Sequence, residues 1–225
     1  VTPVVAIRPE PGLTATLEAA EEAGLAVTGE PLSQVGPTRW QVPDPNEFDG
    51  LLIGSANVFR HGGEALDVLR SLPVLAVGET TAEAAREAGF DIEVTGTGGL
   101  QAVLDSLPAR ARRLLRLSGE ENVALQPPRH VDVQEIATYR IAPLPMSARL
   151  ASTLREGAVV LLHSAASARH FAEECDRFSI DRSAIRLAAL GPRILSAAGE
   201  GWGEMRPSNE PNDAALLALA REMCN

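Results

Sequence analysis

Short apolar runs alternate along this chain with stretches of helical spacing, and small turn-forming residues separate the two. PVVAI at 3–7, LAV at 25–27, FDGLLIG at 48–54, VLAV at 74–77, IEV at 92–94, LLRL at 114–117, AVVLL at 158–162 and IRLAAL at 185–190 read as strands. A longer strand is expected at 131–139 and a short one at 204–206. Most of these runs are continuous rather than alternating, the pattern of strands covered on both faces. Helical spacing fills 13–23, 80–88, 100–107, 148–154, 165–175, 194–198 and 213–223. Gly24 and Gly89 stop two of these helices, and Asn212 or Asp213 caps the last. A helical stretch is expected from 57 to 72, loosened at Gly62-Gly63, and a short helix at 121–125, cut by Pro127-Pro128. Strand and helix in alternation predict α/β architecture with parallel sheets.

The order of these signals repeats. LLIGSANVFR at 51–60 resembles VLLHSAASAR at 160–169, and LAVGETTAEAAREAGF at 75–90 resembles LAALGPRILSAAGEGW at 187–202. Two similar parallel-sheet α/β domains are therefore expected. The N-terminal β-α-β unit is too small to stand alone and is assigned to the C-terminal half. That gives a discontinuous domain of residues 1–34 plus 146–225 and an inserted domain of 40–138, joined by a two-stranded linker at 35–39 and 139–145. Pro31, Pro37, Pro43 and Pro45 mark the outward crossing, and Pro143 and Pro145 the return. Two linkers side by side predict a hinge with a cleft. Tyr139, the single tyrosine of the chain, is expected to face that cleft, and Trp40 to pack under the linker.

Composition narrows the functional classes. At 225 residues and 45% apolar content the chain can bury a substantial core. No apolar run approaches the ~18 residues of a membrane span. The net charge of −10 argues against nucleic acid as a partner. All 20 basic residues are arginine, and Arg110, Arg112, Arg113 and Arg116 form the one basic cluster, expected to be a solvated helix end leading into a strand. Cys175 and Cys224 read as free thiols of a reducing cytoplasm. His61, His130, His163 and His170 match no zinc spacing, so no metal is expected. The opening Val1-Thr2-Pro3 shows no basic-then-apolar leader, consistent with a cytoplasmic protein, and a monomer is expected.

The candidate chemistry lies at the strand ends. They read Ser55-Ala56-Asn57, Gly78-Glu79-Thr80-Thr81, Thr97-Gly98-Gly99, Ser118-Gly119, Ser164-Ala165-Ala166 and Gly191-Pro192. Ligands of open parallel sheets bind beyond the C-terminal ends of the strands. Helix starts there present free N–H groups that accept anions without lysine or arginine. Such turns suit a ligand with several carboxylates, and small residues are also how any βα loop is built. No GxxxxGK[ST], GxGxxG or GxSxG motif occurs, which leaves nucleotide binding and an esterase elbow unsupported.

Taken in order, Arg8-Pro9 after the first strand, Ser55-Ala56-Asn57, Val77-Gly78-Glu79-Thr80-Thr81-Ala82 with Ala88-Gly89-Phe90, Tyr139-Arg140 before Pro143, Ser164, and Leu190-Gly191-Pro192 resemble the uroporphyrinogen-III synthase family over nearly the whole chain. The resemblance implies two domains with substrate in the cleft, and a cofactor-independent cyclising lyase of heme biosynthesis. The implied substrate is hydroxymethylbilane, a linear tetrapyrrole with eight carboxylates. Loss of its terminal hydroxyl as water gives an azafulvene, attack at the substituted carbon of the last pyrrole gives a spiro intermediate, and reclosure leaves ring D inverted. Tyr139 is the implied general acid, a phenol being protonated at neutral pH. Arg8, Ser55, Ala56, Asn57, Gly78, Thr80, Thr81, Gly98, Gly119, Ser164, Ala165 and Gly191 are the implied substrate contacts. Three features depart from the pattern: Ile194 where the second copy would repeat Thr81, Glu120-Glu121 after Gly119, and Pro127-Pro128. A catalytically inactive ligand-binding regulator and a two-lobed binding protein for a small anion are the alternatives.

Overall fold

The computed structural model describes residues 2–224. In chain order its elements are β1 (Val4–Ala6), α1 (Gly12–Glu22), β2 (Val27–Gly29), β3 (Ser33–Pro37), β4 (Gly50–Ile53), α2 (Asn57–His61), β5 (Val74–Val77), α3 (Glu79–Glu87), β6 (Ile92–Gly96), α4 (Leu100–Asp105), β7 (Arg112–Gly119) and β8 (Val131–Pro143). The chain continues with α5 (Ala148–Arg155), β9 (Ala158–Leu162), α6 (Ala165–Arg177), β10 (Ile185–Ala189), α7 (Pro192–Ala198), β11 (Glu204–Pro207) and α8 (Asp213–Met223). It divides into two compact units, Val1–Gln34 with Ala142–Asn225, and Val35–Ile141.

The first unit is built on a parallel sheet of order β11-β10-β9-β1-β2. Both faces of its central strands are buried, which is why those strands read as unbroken apolar runs. Val5, Ile7, Val160 and Leu162 face one core with Leu150, Phe171 and Trp202. Val4, Ala6, Val159 and Leu161 face the other with Leu13, Ala20, Leu216 and Ala220. Period-two alternation thus sends neighbouring valines to opposite helix layers, α1 and α8 on one side and α5, α6 and α7 on the other. The order is 2-1-3-4-5 in the unit's own strand sequence, and its switch point lies between β1 and β9.

In the second unit the sheet runs β3-β8-β7-β4-β5-β6, parallel from β8 to β6. Leu51, Ile53, Ala76, Leu115 and Leu117 pack with Val58, Ala82 and Ala85 on one face, and Leu52, Leu75 and Leu114 with Val103 and Leu104 on the other. β3 lies beside β8, and its partners fall in number as its own rise: Leu144 N–H donates to Leu32 O at 2.8 Å and Thr38 N–H to Thr138 O at 3.2 Å. Trp40 packs half-buried on the core of this unit and donates its indole N–H to Gly62 O at 3.0 Å.

Four expectations are corrected. No helix forms at 121–125; the connection from β7 to β8 is an irregular loop. The basic cluster is solvated only in part: Arg110 is exposed and Arg113 half-exposed, but Arg112 and Arg116 are each 4% exposed within β7. Arg112 pairs with Glu93 at 2.6 Å and Arg116, between Leu115 and Leu117, with Glu135 at 2.9 Å. The stretch at 57–72 is one short α-helix followed by a 3-10 turn at Glu64–Leu69, split at Gly62-Gly63. The second strand begins at Val27 rather than Leu25, because Gly24 and Leu25 are still hydrogen-bonded to the end of α1.

Candidate active site

In the second unit the predicted turns meet at the C-terminal edge of one sheet. β4 ends at Gly54, where a side chain would meet Leu100 of α4 at 2.9 Å. Ser55 Oγ accepts from Asn57 N–H at 3.3 Å, and Ala56 is buried under the turn. Next to it β5 ends at Gly78, whose φ of 77° favours glycine. Gly78 donates its N–H to Gly96 O at 2.9 Å and caps α3 without a side chain. The first-turn N–H groups of α3 consequently face no capping side chain, with Thr80 exposed and Thr81 buried beside them. Gly98 lies in the turn from β6 to α4, with φ of 84°.

β7 ends at Ser118-Gly119, and there the ladder to β8 slips by one residue: Ser118 pairs with Ala137, but Gly119 with Tyr139. A bulge of this kind breaks the period-two alternation and re-aims a side chain. Thr138 and Tyr139 are accordingly both buried, and the Tyr139 ring lies on Gly119, where a Cβ would sit 2.8 Å from Cε2. Only glycine leaves room for that ring. Among the described residues the Tyr139 hydroxyl has no hydrogen-bond partner, and it is not sealed from solvent. The loop after Gly119 is fixed by polar contacts. Asn122 Nδ2 donates to Ser118 Oγ at 3.2 Å and to Glu135, Arg116 Nη1 donates to Val123 O at 2.9 Å, and Thr38 Oγ1 donates to the Glu120 carboxylate at 3.1 Å. Glu120 therefore does not stand at a helix start, where it would have opposed an anion.

The first unit has a different edge. Ser164 spends its hydroxyl as the N-cap of α6, accepting from Ser167 N–H at 3.1 Å, and Ala165 is the first residue of that helix. Gly191 precedes Pro192 at the start of α7, and Ile194 packs half-buried on the core. Arg8 Nη1 donates to Thr16 Oγ1 at 3.1 Å and to both oxygens of Asp213, at 3.1 and 3.3 Å. Asp213 also accepts from Thr16 at 2.8 Å and lies 3.1 Å from His163 Nε2. The hydrogen bond from His163, then that from Thr16 and the charges of His163 and Arg8, hold the Asp213 carboxyl below the ordinary aspartate range against the opposing effect of burial. Of this cluster the sequence offered only Arg8. Thr16, His163 and Asp213 come from three other segments, and no spacing links them.

Neither cysteine is a ready nucleophile: burial pushes the Cys175 thiol up to about 12 and raises that of Cys224. Among the described residues no group of three or more His, Cys, Asp and Glu side chains is placed to hold a metal ion. No helix among them is long and apolar enough to cross a membrane.

Residues 14–218 match the family described as Uroporphyrinogen-III synthase HemD. The chain belongs to the uroporphyrinogen-III synthase family. That family consists of enzymes of heme biosynthesis acting on a small tetrapyrrole. Its fold agrees with the crystal structure of uroporphyrinogen-III synthetase from Helicobacter pylori 26695, at TM-score 0.68 and 16% identity over 99% of this chain and 100% of the other. A mutant uroporphyrinogen III synthase from the extremely thermophilic bacterium Thermus thermophilus aligns at TM-score 0.53 and 19% identity over 99% of each chain. At such identities the likeness is one of fold. No curated protein matches the chain.

Proposed function

We propose that this chain is a uroporphyrinogen-III synthase that cyclises hydroxymethylbilane, with loss of water and inversion of ring D. The family match over 14–218 supports the assignment, and the observation that carries the chemistry is the Tyr139 hydroxyl, unpartnered above Gly119 at the end of β7. In this reading Tyr139 donates a proton to the departing hydroxyl of the substrate. The azafulvene so formed is attacked by the substituted carbon of the last pyrrole, and the resulting spiro intermediate fragments and recloses with that ring turned over.

The electrophile forms readily, and without enzyme the linear compound closes uninverted. The catalytic task is therefore to decide which carbon meets the electrophile, which is positioning work. The turns serve that role through main-chain or side-chain donors at Ser55, Ala56, Asn57, Thr80, Thr81, Gly98, Gly119, Ser164, Ala165 and Gly191, and Gly78, whose own N–H is held by Gly96 O, shapes the start of α3. They hold the substrate carboxylates and fold the chain of pyrroles so that direct closure is out of reach. Arg8 adds one fixed positive charge, needed because the net charge of −10 repels a polyanion at long range. The reaction so drawn uses no cofactor and is that of a lyase.

The test is a stopped incubation of the protein with hydroxymethylbilane, followed by separation of the type III and type I products. Type III formed faster than spontaneous closure is expected. Type I alone, at the spontaneous rate, would leave the chain as a ligand-binding relative without the activity.

A further inference from the structure

Arg8 is not used as a structural ion pair ordinarily uses an arginine. A guanidinium carries five N–H donors, and a carboxylate partner usually takes a parallel pair of them. Here the protein engages Nη1 alone, through Thr16 Oγ1 at 3.1 Å and the Asp213 carboxylate at 3.1 and 3.3 Å. Among the described residues nothing bonds Nε or Nη2, and neither atom is sealed from solvent. The side chain is 29% exposed. Asp213 is meanwhile filled by three neighbours, since Thr16 reaches it at 2.8 Å and His163, 5% exposed, at 3.1 Å.

The orientation of the group is also set. A Cβ on Gly12 would lie 2.5 Å from Nε and 2.7 Å from Cζ and Nη2, so the first residue of α1 borders the guanidinium on its Nε–Nη2 side and limits its rotation. The tie at Nη1 and the contact with Gly12 hold the group in place, and among the described residues the N–H donors of Nε and Nη2 keep no protein acceptor. Arg8 follows β1, the neighbour of β9 at the switch point of this sheet, which is where open α/β sheets take their ligands.

We propose that Arg8 is a carboxylate-binding residue, positioned by Asp213, Thr16, His163 and Gly12, whose Nε–Nη2 edge takes one carboxylate of the substrate. The identity of that substrate rests on the synthase reading. Asp213 and His163 act through Arg8: they hold its position and touch no substrate.

Two measurements test this. In steady-state kinetics with hydroxymethylbilane, Arg8→Lys keeps the charge facing Asp213 but loses the fork. KM is expected to rise about tenfold with kcat within about twofold, the loss of one bidentate contact. Gly12→Ala, which displaces the guanidinium without removing it, is expected to move KM the same way. A purely structural pair would leave KM unchanged in both variants, and that result would overturn the proposal. The second measurement needs neither activity nor a stable variant. The Nε–H resonance of Arg8 is followed by NMR in the wild-type chain while uroporphyrin, an octacarboxylate, is titrated in. A saturable shift supports the subsite even if no type III product is ever found, in which case the synthase reading alone falls. An unmoved resonance under saturating uroporphyrin rejects the subsite.

Discussion

The two sheets are the same structure entered at different points. β4, β5, β6, β7 and β8 of one unit correspond in order and in neighbours to β9, β10, β11, β1 and β2 of the other. Residues that the repeat makes equivalent can therefore be compared singly. Ala6 of β1 and Arg116 of β7 pair with the equivalent residues Leu161 and Leu52. Ala6 is covered by α1. The matching connection after β7 has no helix, and there Arg116 is buried, tied to Glu135 and to Val123 O. A long side chain thus fills space that a helix fills in the other copy. Likewise His163 and Gly54 are equivalent: His163 meets Asp213 at the start of α8, whereas Gly54 lies against Leu100 at the start of α4. One edge has become a charged cluster that fixes Arg8. The other has no such cluster, with Glu79 and Glu120 exposed at its turns, and carries Tyr139. Shared architecture has not preserved shared chemistry.

Substitutions can break this contrast, and the largest effect is expected at the edge that carries Tyr139. Gly119→Ala places a Cβ 2.8 Å from the Tyr139 ring, which the core holds in place. The ring must shift, and kcat in the hydroxymethylbilane assay is expected to fall by about 10²-fold, with stability lower by about 2 kcal/mol in urea unfolding. Arg116→Ala should cost about 2 kcal/mol by the same unfolding measurement. Arg116→Leu should recover more than half of it, since packing in the place of the missing helix matters more than the partly exposed partner.

At the charged edge the effect is smaller and depends on pH. The folded Asp213 carboxyl titrates below its ordinary range, so its stabilisation is present above that range and is lost as pH falls through the lower folded value. Asp213→Asn is expected to cost about 1 kcal/mol at pH 7, and the gap from wild type should close below about pH 4 in urea unfolding at stepped pH. Smallest of all is Gly54→Ala. Its Cβ meets only the flexible end of Leu100, and a loss under about 1 kcal/mol is expected.

These same residues mark how far the sequence could be read. The double-sided burial of strands such as β9 shows directly as AVVLL, and LLIGSAN against VLLHSAAS shows the repeat. Glycines at Gly78 and Gly98 mark turns because the backbone there needs positive φ. What was hidden depends on contacts between distant segments. The missing helix after β7 cannot be seen without knowing that Arg116 reaches Glu135, and Arg112 and Arg116 look solvated until their carboxylates are placed. The bulge that sets Tyr139 on Gly119 is a one-residue slip between two strands, and a local pattern does not record register. Asp213 stands 205 positions from Arg8, beyond any spacing rule.

The proposed function assigns rate and selectivity to different parts of the molecule: Tyr139 to departure of the hydroxyl, the turns and Arg8 to the choice of carbon. The direct measurement is the initial rate and the type III to type I ratio formed by Tyr139→Phe at saturating hydroxymethylbilane, corrected for spontaneous closure. The expected result is a rate lower by about 10²-fold, with the enzymic product still type III. An unchanged rate, or an enzymic product that turns to type I, would contradict that division.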